Sequence, residues 1–308
     1  MGIYKIKLIS FFIIFLFLFI SCSKFENEPE ATSLSGKKLF PLKLSNEKEK
    51  EFQKKLSDAI ANYENDKSNV DKYIWVGRQH AYLGNYRKSI SWYTEGLNLF
   101  PDNYKLLRHR GHRYISLRQF DNAISDLEKS SKIISNLPDE VEQDGLPNKF
   151  NIPTSTSHSN IWYHLGLVYY LKKDFNNAER AFTECLKFSK NNDMLCATLD
   201  WLYMSKMRLN KKEEAILLLK QISPEMNIIE NHAYFNRLMM YKGLKKPEEL
   251  LSETETDPVT IATQGYGVGN WYLTNGDTLN ANIIFNKVVS TKNWSAFGFI
   301  ASEVELVK

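Results

Sequence analysis

The sequence predicts an all-α fold, an α-solenoid of helical hairpins with a capping helix at each end. Three observations carry the prediction. Trp162, Leu165, Gly166, Tyr169, Ala178 and Phe182 alternate large and small residues at the spacing of two antiparallel helices. The same spacing returns along the chain, and amphipathic stripes flank the repeats. The 308 residues could form two domains, but a solenoid is quasi-one-dimensional and takes a whole chain into one array.

Gly166 and Ala178 are small so that the helices of one hairpin can approach, and Trp162, Leu165, Tyr169 and Phe182 fill the space around that contact. Truncating such a Trp costs about 3–5 kcal/mol, and overfilling the glycine site about 1–3 kcal/mol. Residues 70–103 repeat the pattern with Gly77, Gly84, Tyr86, Tyr93 and Pro101, and residues 104–134 with Gly111, Tyr114, Phe120, Ala123 and Leu127. The central hairpin spans 159–190, and a last copy at 262–290 carries Gly269, Tyr272, Gly276, Ala281 and Phe285. Between them, 194–251 is degenerate: Leu199, Leu202, Ala215 and Leu219 suit one hairpin and His232 to Leu251 another, with Pro247 at a helix start. Five or six hairpins are expected.

The central segment matches the W-x₂-L-G-x₂-Y…A-x₃-F pattern at every position, so the chain resembles the tetratricopeptide repeat (TPR) superfamily over about 70–290. The stretch from Tyr93 to Leu117 also looks like a group of bacterial TPR proteins with no assigned reaction. The resemblance implies a right-handed superhelix and protein–protein interaction at the cell envelope, without catalysis. In TPR hairpins the second, fifth, ninth and twelfth positions of the first helix line the concave surface. That phase puts Asp71, Ile74, Arg78 and Ala81, then Lys105, Arg108, His112 and Ile115, on the inner face. Asn160, Tyr163, Leu167 and Tyr170 follow, and finally Thr263, Tyr266, Asn270 and Leu273. The ligand groove expected from this is Arg78, Lys105, Arg108 and His112 for acidic groups, with Asn160, Tyr163 and Tyr170 gripping backbone and apolar parts. It loosely resembles TPR domains that clamp the acidic tails of chaperones.

Lys5 and Lys7 precede an apolar run from Leu8 to Ile20, then Ser21-Cys22. The run is short for a membrane span and has the size of a secretory signal core. Ser21-Cys22 resembles a bacterial lipobox, which implies a signal peptide at 1–21 and acylation (palmitate) of Cys22. Plain secretory cleavage and an uncleaved anchor are the other two readings. Ser23, where some bacteria place an Asp retention signal, leans toward a lipid-anchored protein of the outer membrane. Residues 22–45 are polar with Pro29 and Pro41 and read as a flexible tether, leaving 46–308 as the solenoid. Phe52, Leu56, Ile60 and Tyr63 mark an N-terminal capping helix, and Trp294, Phe297, Ile300 and Val304 a C-terminal one.

The stretch 135–157 interrupts the array. Pro138, Gly145, Pro147 and Pro153 exclude a helix, and Asp139, Glu140, Glu142 and Asp144 make it acidic, so it is either a lip over the ligand or a passive insertion. Cys185 falls on a buried small-residue position; pairing with Cys196 is the other option. His109 and His112 sit among Arg108, Arg110 and Arg113, a setting that repels cations, so no metal and no cofactor is expected. Guanidinium forks there suit carboxylates instead. Gly265-Tyr266-Gly267-Val268-Gly269 lacks the strand a dinucleotide loop needs. A net charge of +4 gives no case for nucleic acid.

The expected function is therefore a membrane-tethered scaffold that binds a polypeptide or other anionic ligand, with a protein or peptide partner, in its concave groove. A glycan-binding envelope lipoprotein in nutrient uptake is the alternative, requiring Tyr163, Tyr170 and Tyr266 to be exposed platforms. An envelope enzyme needs a groove carboxylate as acid, and the inner-face list offers Asp71 alone.

Overall fold

The computed structural model describes residues 28–307. Fourteen α-helices carry the described residues, beginning with α1 (Asn46–Asn65). Six hairpins follow: α2/α3 (Val70–Tyr82, Tyr86–Leu99), α4/α5 (Tyr104–Ser116, Phe120–Ile134), α6/α7 (Ser157–Leu171, Phe175–Phe188), α8/α9 (Asn192–Arg208, Lys212–Leu218), α10/α11 (His232–Tyr241, Pro247–Leu250) and α12/α13 (Pro258–Thr274, Thr278–Val289). Helix α14 (Phe297–Leu306) closes the array.

Helix starts are written locally. Ser45, Asn69, Asn103, Thr156, Asn191 and Asp257 each accept a first-turn backbone N–H on the side chain, satisfying donors that the helix leaves unpaired. Each hairpin turns at one left-handed residue: Gly84, Arg118, Lys173, Asn210, Gly243 and Gly276. Inside the hairpins a small residue of the first helix meets a large one sixteen positions on. A Cβ added at Gly77 would lie 2.2 Å from the Tyr93 ring, and one at Gly166 2.9 Å from the Phe182 ring. Gly111 with Leu127 and Gly269 with Phe285 repeat that register. At α8/α9 the same offset pairs Leu199 with Ala215, both wholly buried, so the large and small partners have changed sides.

The degenerate region has short second helices. Helix α9 gives way to one 3₁₀ turn at Leu219–Gln221 before Pro224, and α11 has only the four residues after Lys246. Leu199, Leu202, Ala215 and Leu219 are nevertheless buried, so the hairpin packing survives there.

The expected flexible tether needs correcting over its described part. Residues 28–45 do not trail away: Ala31–Thr32 and Lys38–Leu39 form a two-stranded antiparallel ribbon, with Ala31 opposite Leu39. Ala31 and Leu39 are buried in a core shared with Leu117, Trp294 and Phe299. Trp294 Nε1 donates to Phe40 O at 2.6 Å, and Arg87 donates backbone N to Glu30 Oε2 (2.9 Å) and Nε to Glu30 O (3.0 Å). The apolar residues scattered in this polar stretch have a surface to bury against, so the segment joins α3 to the C-terminal end. Helix α14 likewise does more than cap. It packs along α12 and α13 and touches α6, and Gly298 lies so close to α12 that a Cβ would be 2.2 Å from Ala262 O.

Candidate functional site

The inner face divides into a closed half and a half occupied by the chain's own insertion. In the closed half the superhelix brings α6 against α12. Tyr266 Oη donates to Tyr170 Oη at 2.8 Å, Tyr170 Oη to Asn270 Oδ1 at 3.2 Å, and Tyr163 and Tyr234 share a hydroxyl contact of 2.8 Å. Glu305 of α14 enters this network and pairs with Arg208 at 2.5 Å. Tyr163, Tyr170 and Tyr266 are buried, as are Ile115, Leu167 and Asn270. The groove assignment of Tyr163 and Tyr170 is thereby corrected. The repeat phase points them inward, but tight curvature turns the inner face there into core. The glycan reading loses the platforms it needs.

The other half is basic and is formed by α2, α4 and the start of α6. Lys105 Nζ lies 3.1 Å from Glu140 Oε2, which also accepts from Tyr104 Oη at 3.1 Å. Arg108 Nη2 holds Glu142 Oε1, while Asn160 Nδ2 donates to Glu142 Oε2 at 2.9 Å. Arg78 Nη1 donates to Gln143 O at 2.8 Å. The two carboxylates and the one backbone carbonyl bound here all come from the 135–157 insertion. Bonding to Lys105 holds the Glu140 carboxyl below its ordinary range, whereas burial, with Glu230 nearby, raises Asp144. A cavity of about 210 Å³ remains beneath the insertion, edged by Arg78, Tyr82, Arg108, His112, Asp144 and His164.

His112 lines that cavity and packs on other rings. Its ring contacts that of His164, tilted by 40° with centroids 4.3 Å apart, and meets Phe297 at 5.3 Å. Burial first, then Arg113, keeps His112 neutral well below its ordinary pKa; burial and Arg108 do the same for His109. His164 is lowered to about 3 by burial and Arg108. This imidazole cluster is the floor under the basic strip, and His112, lining the cavity as a neutral ring, offers an anion no charge.

A second cavity of about 210 Å³ lies between α8, α10, α12 and the start of α14, with Trp201, Tyr234, Tyr266 and Phe297 on its walls. Arg237 borders it, paired through Nη2 to buried Asp200 at 2.8 Å. Gly267 makes room for that side chain, since a Cβ there would lie 1.9 Å from Arg237 Cδ. The glycine run 265–269 is thus a helix segment thinned for its neighbours. Sequence reasoning missed the Asp200–Arg237 pair; a charged residue in the apolar stripe of each helix was the available signal. Cys185 and Cys196 are buried free thiols, both pushed by burial up to about 12. Cys22 and the rest of the leader lie outside the described residues. Among the described residues no helix is long and apolar enough to cross a membrane.

Stacked helical hairpins with a concave face define an α-helical repeat protein. Residues 159–192 match the family model described as tetratricopeptide repeat, so the chain carries that repeat at the α6/α7 hairpin. Over 135 residues it is 27% identical to the BBSome complex member BBS4 of Bos taurus, covering 44% of this chain and 22% of that relative. The chain thus spans about a fifth of the length of the curated relative it matches. Among solved structures, YrrB, described as a TPR protein with an unusual peptide-binding site, is similar at TM-score 0.42 and 11% identity, over 81% of this chain and 98% of that one. A tetratricopeptide repeat protein from Parabacteroides merdae is similar at TM-score 0.47 and 15% identity, over 83% and 93%.

Proposed function

We propose that the protein is a lipid-anchored interaction scaffold of the bacterial cell envelope, most consistent with the outer membrane, that holds an acidic extended stretch of a partner polypeptide on the Arg78–Lys105–Arg108–Asn160 strip. TPR arrays are protein-interaction modules, and the strip supplies the chemistry. One observation carries the reading: side chains from α2, α4 and α6 converge on carboxylate and carbonyl oxygens of one extended segment. Guanidinium and ammonium donors on a half-buried surface suit that class of ligand. Anchoring rests on the Lys5-to-Cys22 pattern. With Cys22 acylated, the five residues 23–27 reach at most about 20 Å, which would hold the array close to the bilayer rather than far above it.

Binding is tested with the full chain in detergent and a labelled acidic peptide, Asp-Glu-Val-Glu-Gln-Asp, followed by anisotropy. Lys105→Glu should abolish binding with helicity unchanged. Lys105 suits this test better than Arg108, which is nearly buried against Glu142 and would place two carboxylates together if changed to Glu. Equal binding by wild type and Lys105→Glu would remove the strip from the function. Acyl labelling should disappear in Cys22→Ala.

A further inference from the structure

The basic strip and the insertion fit each other in a way that specifies the partner. Val141 bridges Thr156 in antiparallel fashion, with Glu142 N donating to Ser155 O and Ser157 N to Glu140 O. Glu140 and Glu142, two residues apart, therefore face the same side and meet Lys105 and Arg108, one helical turn apart on α4. The intervening Val141 points away and is 65% exposed. Leu137, Leu146, Phe150 and Ile152 are exposed as well, so the insertion buries few of its large apolar side chains. Its inner contacts are mostly ion pairs and hydrogen bonds. The seat is also imperfectly filled: Arg108 is nearly buried, yet its Nε has no hydrogen-bond partner among the described residues.

We infer that the insertion is a built-in, displaceable competitor for the groove, and that the partner is an extended segment with acidic residues two apart (Glu-x-Glu). This deepens the groove reading above and rests on it. A partner strand of that spacing offers the same carboxylates to Lys105 and Arg108 and frees the acidic stretch 139–144 of the insertion. The solvent-edged Lys105–Glu140 pair opposes release weakly, whereas the nearly buried Arg108–Glu142 pair is costly to break unless the partner's own carboxylate replaces Glu142. The apparent affinity for the partner is then reduced by the fraction of molecules whose groove is open.

The probe is a fluorescein-labelled peptide with the sequence of residues 138–146, which carries both glutamates. The receptor is the full chain in detergent, as wild type and as the double variant Glu140→Gln/Glu142→Gln, which weakens the internal segment and leaves every groove side chain in place. The double variant should bind at least tenfold tighter than wild type, and adding Lys105→Glu to it should abolish binding. A peptide with Gln at both glutamate positions should not bind. Equal affinity of wild type and double variant would overturn the competition while leaving the groove reading standing. No binding by any form would overturn both. Limited proteolysis of wild type gives a second measure free of the double variant's folding: saturating peptide should accelerate cleavage within 145–153, and an unchanged rate would overturn displacement.

Discussion

The imidazole cluster under the basic strip makes stability depend on pH in a calculable way. His164 is fully enclosed, with Nδ1 2.6 Å from Asn160 O and its ring on His112. Its folded pKa is about 3, set by burial and Arg108, against about 6.5 in an unfolded chain. Folding therefore expels a proton below pH 6.5. The His164 contribution is intact above that value and is lost as pH falls toward 3. At pH 5 the unfolded state gains a factor of about 30 in proton binding that the folded state does not, or about 2 kcal/mol. His109 and His112 shift in the same direction, with Arg108, Arg113, Glu142 and Tyr93 around them, so the wild-type loss is steeper than one site produces.

The assay is urea unfolding at pH 7 and pH 5 for wild type and His164→Gln. Glutamine can still donate to Asn160 O but carries no titrating group. Both pH values lie above the ordinary carboxylate range, and shifted carboxylates such as Asp144 are common to the two proteins and cancel in the difference. Wild type should lose about 2 kcal/mol more than the variant between the two pH values. An equal loss would show that His164 is not the desolvated neutral group described above, and the reasoning would fall.

Two further perturbations probe the packing. Gly166→Val should lower stability by about 1–3 kcal/mol in chemical unfolding, because its Cβ alone would approach the Phe182 ring to 2.9 Å; an unaffected midpoint would mean the hairpin is loosely packed. Arg237→Met should cost about 3–5 kcal/mol by leaving Asp200 buried and unpaired, whereas Arg237→Met with Asp200→Leu should recover most of it; equal losses in the two variants would assign the cost to shape rather than charge.

The hairpins were legible because their packing is local. Gly77–Tyr93 and Gly166–Phe182 sit at a fixed offset, and Asn69, Asn103 and Asn191 announce helix starts. Turns were half legible: glycine marks Gly84 and Gly276, while Arg118 and Lys173 take the same left-handed conformation with nothing in their identity to say so. Arg118 is held there by Glu303 and Trp294 O, at 2.9 Å and 2.7 Å, more than 170 residues away. The basic strip could be read from repeat phase for Arg78, Lys105, Arg108 and Asn160. That phase says which side chains point inward but not how tightly the array curves. Tyr163 and Tyr170 failed as ligand contacts for that reason.

The same curvature decides what remains for a partner. Once Tyr170 meets Tyr266 across the inner face and α14 brings Glu305 to Arg208, the middle and far parts of the concavity are core. Opening them would break a network in which Tyr170, Tyr266 and Glu305 are all desolvated, at a cost a peptide ligand could not readily offset. The strip over α2 and α4 is different in kind. Its occupant leaves five large apolar side chains in water and one buried Arg108 donor unpaired, so exchange there replaces like contacts with like. On the proposed reading, recognition therefore falls on the Arg78–Lys105–Arg108–Asn160 strip. The acidic insertion after α5 lies across that strip, which is what the proposed competition requires.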